Sequence, residues 1–220
     1  MKIKYAVFDF DGTLFDSMFI WEDVPEIYLR SVGKEPGPSV REDVRPLSLY
    51  QSACYFKREY DLPFSAEEIV RDINRIVEHF YLYEVLPKPG AVDFLKRLKN
   101  AGIRMCIATA SDLHQVEAAL RRCAMEDCFE AIFTCSEVGH GKDEPAVFQK
   151  AMEHFGAHRR ELVIFEDAVH AIQTAKADGF TVVAVFDSSE KRQAEIRDLA
   201  DCCIADFEHT EGFWKFASAE

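Results

Sequence analysis

Apolar positions follow two different periods along this chain, and the change between them divides it. Tyr5, Ala6, Val7 and Phe8 form a short continuous apolar run, the pattern of a strand buried on both faces. From Met18 the apolar residues take up helical spacing and keep it for about seventy residues. The run over 18–32 predicts a helix broken or restarted at Pro25 and stopped at Gly33, followed by a loop at Pro36, Gly37 and Pro38. Ser48 can cap a helix over 49–60, and Ser65 with Glu68 makes a capping box for a helix reaching Tyr83. Pro87, Lys88, Pro89 and Gly90 close this segment, after which helical and strand signals alternate. Helices are predicted over 91–100, 112–123, 144–155 and 168–178, and strands over 103–109, 131–134, 162–165 and 181–186, with a short edge strand over 202–205. Such alternation predicts a parallel sheet with helices on both faces. The helical segment is then an insertion: residues 1–15 and 88–220 form an α/β core, and 16–87 a cap hinged at the two crossings.

Composition narrows the classes. An apolar content of 48% is ample for a buried core, and 30% charged residues suits a solvated surface. The formal charge of −13 disfavours nucleic acid or an anionic membrane as partner. It allows a phosphorylated small molecule, since a bound cation reverses the sign of a site locally. The seven cysteines are odd in number and contain no Cys-x-x-Cys pair, so reduced thiols in a cytoplasmic protein are expected and zinc is not. Neither a long apolar leader nor a membrane-length apolar stretch is evident. The tail Phe213, Trp214, Lys215 and Phe216 reads as an apolar anchor.

The chemistry lies at the strand ends. After Phe8 come Asp9, Phe10, Asp11, Gly12 and Thr13, and on a strand Asp9 and Asp11 share a face while Phe10 turns inward. A hairpin turn does not need two acids, and a calcium loop lacks the acids it would require at Val7 and Met18. The carboxyl end of a strand is where open parallel sheets place a ligand crevice. The strand 103–109 ends in Thr109, with Ala110, Ser111 and Asp112 leading into a helix, a combination of hydroxyl and backbone N–H groups suited to a phosphate oxygen. Gly139, His140 and Gly141 deliver Lys142, and the strand 162–165 runs into Glu166 and Asp167. Four acids against one lysine, with a phosphate adding about two more negative charges, call for a divalent cation. All-oxygen ligands beside a phosphate indicate Mg2+.

Residues 9–17, reading DFDGTLFDS, resemble the first motif of the haloacid dehalogenase superfamily, whose members are mostly magnesium-dependent phosphatases acting through an aspartyl-phosphate. The resemblance continues in order through Thr109, Lys142 and the Glu166–Asp167 pair. The inserted helices are similar to the small helical-cap subgroup that includes phosphoglycolate phosphatase and β-phosphoglucomutase. One departure is Ala146, where the family commonly has an aspartate downstream of the lysine. The resemblance implies an α/β fold, a Rossmann-like parallel sheet with helices on both faces plus an inserted α-helical cap domain. It also implies hydrolysis of a small phosphorylated metabolite. Asp9 would be the nucleophile and Asp11 the acid and base, with Thr109, Ala110 and Lys142 on the phosphoryl group. The metal would be held by Asp9, Asp11 through its carbonyl, and Asp167, with Glu166 acting through water. Trp21 and Arg45 are cap candidates for contact with the substrate. A sugar phosphomutase is the nearest alternative. It is weakened by Trp21, which stands where β-phosphoglucomutase carries a histidine, and by the lack of a secure cap arginine, since Arg41 suits an exposed ion pair. A non-catalytic phosphate-binding sensor is the alternative of another class, and retention of all the acids opposes it. The leaving group and oligomeric state are left open.

Overall fold

A parallel sheet six strands wide carries the fold. The structure, a computed structural model, describes residues 3–44, 47 and 49–218. In chain order the strands are β1 (Tyr5–Phe8), β2 (Phe15–Asp16), β3 (Leu86–Pro87), β4 (Arg104–Thr109), β5 (Ile132–Thr134), β6 (Leu162–Glu166), β7 (Thr181–Val185) and β8 (Cys202–Ile204). All but β2 and β3 join the sheet, in the order β5-β4-β1-β6-β7-β8, with every pairing parallel. The chain runs outward from β1 to β4 and β5, then returns to the other side of β1 with β6. That reversal places a topological switch point at the carboxyl end of β1.

Both faces of the sheet are covered, which is why its strands read as continuous apolar runs. On one face Val7, Cys106, Ala108, Ile164 and Val182 share a core with Val147, Phe148 and Ala151 of helix 146–155 and with Ile172 and Ala175 of helix 169–177. On the other, Phe8 stacks on Phe165 at 4.3 Å, and both meet Phe94. Phe213 packs on Phe165 and Phe94 at 5.3 Å and is fully buried, so the tail anchors the chain end. Each such phenylalanine contributes about 2–3 kcal/mol of burial.

The chain divides into two compact units, one of residues 1–17 and 85–220 and the other of 18–84. The helical unit contains α1 (Phe19–Ser31), α2 (Val40–Val44), α3 (Leu49–Glu59) and α4 (Ala66–Tyr83). The Ser65–Glu68 capping box starts α4 as the sequence predicts. Pro25 does not break α1, which runs through it. Proline costs the bond to the Trp21 carbonyl, but Ile20, Val24, Tyr28 and Leu29 hold the buried face on either side. Ser48, read as a helix cap, lies outside the described residues.

The sheet unit adds α5 (Ala91–Asn100), α6 (Leu113–Arg122), α7 (Cys135–Val138), α8 (Ala146–Phe155), α9 (Val169–Ala177), α10 (Gln193–Leu199) and α11 (Glu211–Ser218). The helix predicted from Glu144 begins two residues later, behind Pro145, which favours a helix start over its interior. The antiparallel pair β2–β3 joins the outgoing and returning segments of the sheet unit, assisted by a 2.8 Å bond from Lys88 N to Leu14 O. At two residues a strand it is too short for a periodicity to reveal. All seven cysteines are free thiols, and among the described residues no helix is long and apolar enough to cross a membrane.

Candidate active site

β1 stops at Phe8, so the residues after it are set by a tight turn and not by strand alternation. Asp9 N donates to Phe165 O at 2.9 Å, which keeps Asp9 beside β6. Phe10 then turns into the core and stacks on Phe15 at 4.3 Å, while the N–H groups of Leu14 and Phe15 both bond Phe10 O. The turn leaves Gly12 at φ +72°, and a Cβ there would come within 2.8 Å of the Asp167 carboxyl carbon. Glycine is therefore required both by its backbone angle and by the close approach of Asp167.

Asp9, Glu166 and Asp167 form a buried cluster in which one carboxylate oxygen from each lies within 4.8 Å of the others. Lys142 enters between them: its Nζ donates to Asp9 Oδ1 and, at 2.8 Å, to Glu166 Oε2. α7 brings it there. Thr134 and Glu137 cap that helix reciprocally at 3.1 Å, and Gly139 ends it in the left-handed conformation, turning the chain toward Lys142. The Thr134-x-x-Glu137 pattern signals this helix start at the same residue where the predicted strand ends. Glu166 is further fixed by the N–H groups of Asp167 and Ala168, which donate to its Oε1 at 3.2 and 3.1 Å. Thr13 Oγ1 donates to Asp167 Oδ1 at 2.7 Å.

Burial, then the charge on Glu166, pushes the Asp9 carboxyl up to about 6 despite Lys142. Asp167 is raised well above its ordinary value, first by burial and then by the charges on Glu166 and Asp9. For Lys142 burial opposes the charge, but Asp9 and Glu166 outweigh it and hold the ammonium above its ordinary range. Three carboxylates against one lysine leave the cluster short of positive charge, and at separations of about 4 Å each like-charge pair costs about 4 kcal/mol at an effective dielectric of 20. The donor set is all oxygen, so the residues fit a hard divalent cation.

Asp11 stands apart from that cluster. Its Oδ1 accepts from Ser17 Oγ at 2.6 Å and its Oδ2 from Ser111 Oγ. The expectation that Asp9 and Asp11 share a strand face is thus corrected: the turn sends the two carboxylates to different neighbours. Thr109 ends β4, fully buried, and its Oγ1 accepts from Ser111 N at 3.0 Å. Ala110 is exposed in the loop before α6. Trp21 is 44% exposed on α1 of the helical unit, and Arg45 lies outside the described residues. Arg41 pairs with Asp23 and Glu26, the exposed ion pair expected of it. Sequence reasoning missed the orienting parts played by Thr13, Ser17 and Ser111. Their only signal was a hydroxyl beside each acidic or phosphate-type motif.

Comparison with known proteins identifies the family. The family model for haloacid dehalogenase-like hydrolases matches residues 3–179. The "Probable pseudouridine-5'-phosphatase" of Drosophila melanogaster is 29% identical over 217 residues, covering 94% of this chain and 92% of that one. Hexitol phosphatase A of Escherichia coli is 29% identical over 188 residues, 84% of each chain. Among solved structures, a β-phosphoglucomutase-like protein of Thermotoga maritima superposes with a TM-score of 0.82 at 20% identity, covering 93% of this chain and 94% of that one. With its family model matched across most of its length, and with the acidic cluster and lysine at the carboxyl ends of its strands, the chain belongs to the haloacid dehalogenase-like hydrolases.

Proposed function

We propose that this chain is a magnesium-dependent phosphatase that hydrolyses a small phosphate monoester through a phosphorylated Asp9. The observation that carries the reading is the buried cluster of Asp9, Glu166 and Asp167 with Lys142 inserted, since burying like charges together is costly without a cation to meet them. Asp9, Asp167 and the backbone carbonyl of Asp11 would hold Mg2+, with Glu166 acting through water because its oxygens already serve Lys142 and two backbone N–H groups. The ion supplies charge neutralisation for the phosphoryl group.

The residues divide the work as follows. An Asp9 carboxylate oxygen attacks phosphorus, the ester P–O bond breaks, and Asp11 gives its proton to the leaving oxygen. Asp11 then takes a proton from water as that water attacks phosphorus, releasing inorganic phosphate and restoring the Asp9 carboxylate. Thr109, the Ala110 N–H and Lys142 hold the phosphoryl oxygens. Lys142 also offsets the charge on Asp9 before substrate arrives.

Phosphatases among the relatives favour hydrolysis over the mutase alternative, whose structural likeness at 20% identity bears on the fold alone. Their names point to phosphorylated polyols and nucleosides as substrates to try first. Substrate choice is assigned to the helical unit, where Trp21 and Arg45 are the residues to vary.

The test is phosphate release from 4-nitrophenyl phosphate with and without Mg2+, in wild type and Asp9→Asn. Turnover that requires Mg2+ and falls at least about a thousandfold in the variant is expected. Binding of Mg2+ with no turnover on that ester or on a panel of sugar, polyol and nucleotide phosphates would replace the phosphatase with the sensor.

A further inference from the structure

Ser111 touches both halves of the chemistry. Its N–H donates to Thr109 Oγ1 at 3.0 Å, and its hydroxyl donates to Asp11 Oδ2. A hydroxyl oxygen that accepts a hydrogen bond keeps its own proton to donate, so this contact leaves the Thr109 O–H available to a phosphoryl oxygen. The second contact fixes one oxygen of Asp11, whose other oxygen is fixed by Ser17 at 2.6 Å. Asp11 is only partly buried and is not a member of the three-carboxylate cluster. A carboxyl that must meet the leaving oxygen needs its orientation set, and these two hydroxyls bond both of its oxygens.

We propose that Ser111 is a positioning residue for Asp11, which ties the orientation of the acid and base to the loop that receives the phosphoryl group. One residue then sets the proton direction at Thr109 through its backbone and the carboxyl plane of Asp11 through its side chain. The assignment rests on the phosphatase reading, and it predicts a dependence on the leaving group that the phosphate-holding residues do not share. Protonation matters most when the leaving oxygen is strongly basic. In kcat/KM, which reports the steps through phosphorylation of Asp9 and not the later attack of water, loss of Ser111 Oγ should therefore harm poor leaving groups and spare good ones, whereas damage to the phosphate loop should harm both alike.

The experiment compares phenyl phosphate, a poor leaving group, with 4-nitrophenyl phosphate, a good one, at saturating Mg2+. The proteins are wild type, Ser111→Ala, Ser111→Thr, Asp11→Asn and the double variant Ser111→Ala/Asp11→Asn, each with its melting temperature measured. Ser111→Ala is expected to lower kcat/KM on phenyl phosphate about tenfold and on 4-nitrophenyl phosphate less than about twofold. Ser111→Thr, which keeps the hydroxyl, should restore the rate, and in the Asp11→Asn background Ser111→Ala should add nothing. An equal loss of kcat/KM on both esters, no loss on either, or additive losses in the double variant would overturn the assignment. If Ser111→Ala does not fold, Ser111→Thr carries the test, and a tenfold loss there with a native melting temperature also overturns it. Wild-type protein that binds Mg2+ but turns over neither these esters nor the panel of sugar, polyol and nucleotide phosphates overturns the phosphatase reading and this assignment with it. Magnesium-dependent wild-type activity that Asp9→Asn abolishes keeps the reading, whatever Ser111 does.

Discussion

Asp9 and Asp11 carry the same functional group two residues apart, and the structure gives them opposite surroundings. Asp9 is buried among charges, with Lys142 on one side and Glu166 and Asp167 close by. Asp11 is partly exposed and bound by the neutral hydroxyls of Ser17 and Ser111. A carboxylate held by an ammonium in a cation-poor cluster suits attack on phosphorus beside a metal. A carboxyl held at both oxygens by hydroxyls has its orientation set and suits proton transfer. Environment, not residue type, separates the two proposed roles.

The contrast is broken most forcefully at Lys142. Lys142→Met leaves Asp9 and Glu166 buried without their partner, and in the absence of divalent cations at pH 7.5 it should cost about 3 kcal/mol of stability by urea denaturation. The cost should shrink at pH 5, where Asp9 carries its proton. An equal cost at both pH values would mean that the ion pair is not what stabilises the cluster.

Gly12 tests whether Asp167 must approach the turn. Gly12→Ala meets a positive φ and places its methyl group against the Asp167 carboxyl, so the Mg2+ concentration for half-maximal activity should rise about tenfold. Unchanged Mg2+ dependence would show that the carboxylate has room to move. Asp11→Asn, by contrast, should reduce turnover while leaving thermal stability near wild type, because no buried charge is uncovered.

The smallest expected effect concerns pH. Asp9 holds its proton more tightly in the folded protein than an ordinary aspartate, up to about 6. The folded state therefore loses relative stability as pH rises from about 4 through 6, when that proton leaves a buried site. A divalent cation competes with the same proton, so the gain in melting temperature from Mg2+ should be larger at pH 7.5 than at pH 5. An equal gain at both would place the ion away from Asp9.

Much of this site is legible along the chain because each of its motifs is local. The apolar runs before Asp9, Thr109 and Glu166 identify strand ends, and acids or a hydroxyl at those ends identify the chemistry. What escapes is anything decided by a short segment or by a turn. The two-residue strands β2 and β3 offer no period to detect, and α7 is shorter than the window in which helical spacing becomes visible. Pro25 lowers the local helix propensity, a cost that tertiary burial of the α1 face overrides.

The sequence by itself determined the order of elements, the α/β class with its helical insertion, and Asp9, Asp11, Thr109, Lys142, Glu166 and Asp167 as the candidate site residues. Their partners are another matter. Lys142 reaches Asp9 across 133 residues of chain, Thr13 reaches Asp167 across 154, and Ser111 reaches Asp11 across 100. Periodicity reports only what lies within a turn or two of each residue, whereas these meetings depend on β1 lying between β4 and β6 and on the turn at Gly12 that parts Asp9 from Asp11. Tertiary structure alone decided which acid faces the charges and which the hydroxyls, because that choice is made by backbones brought together in the sheet.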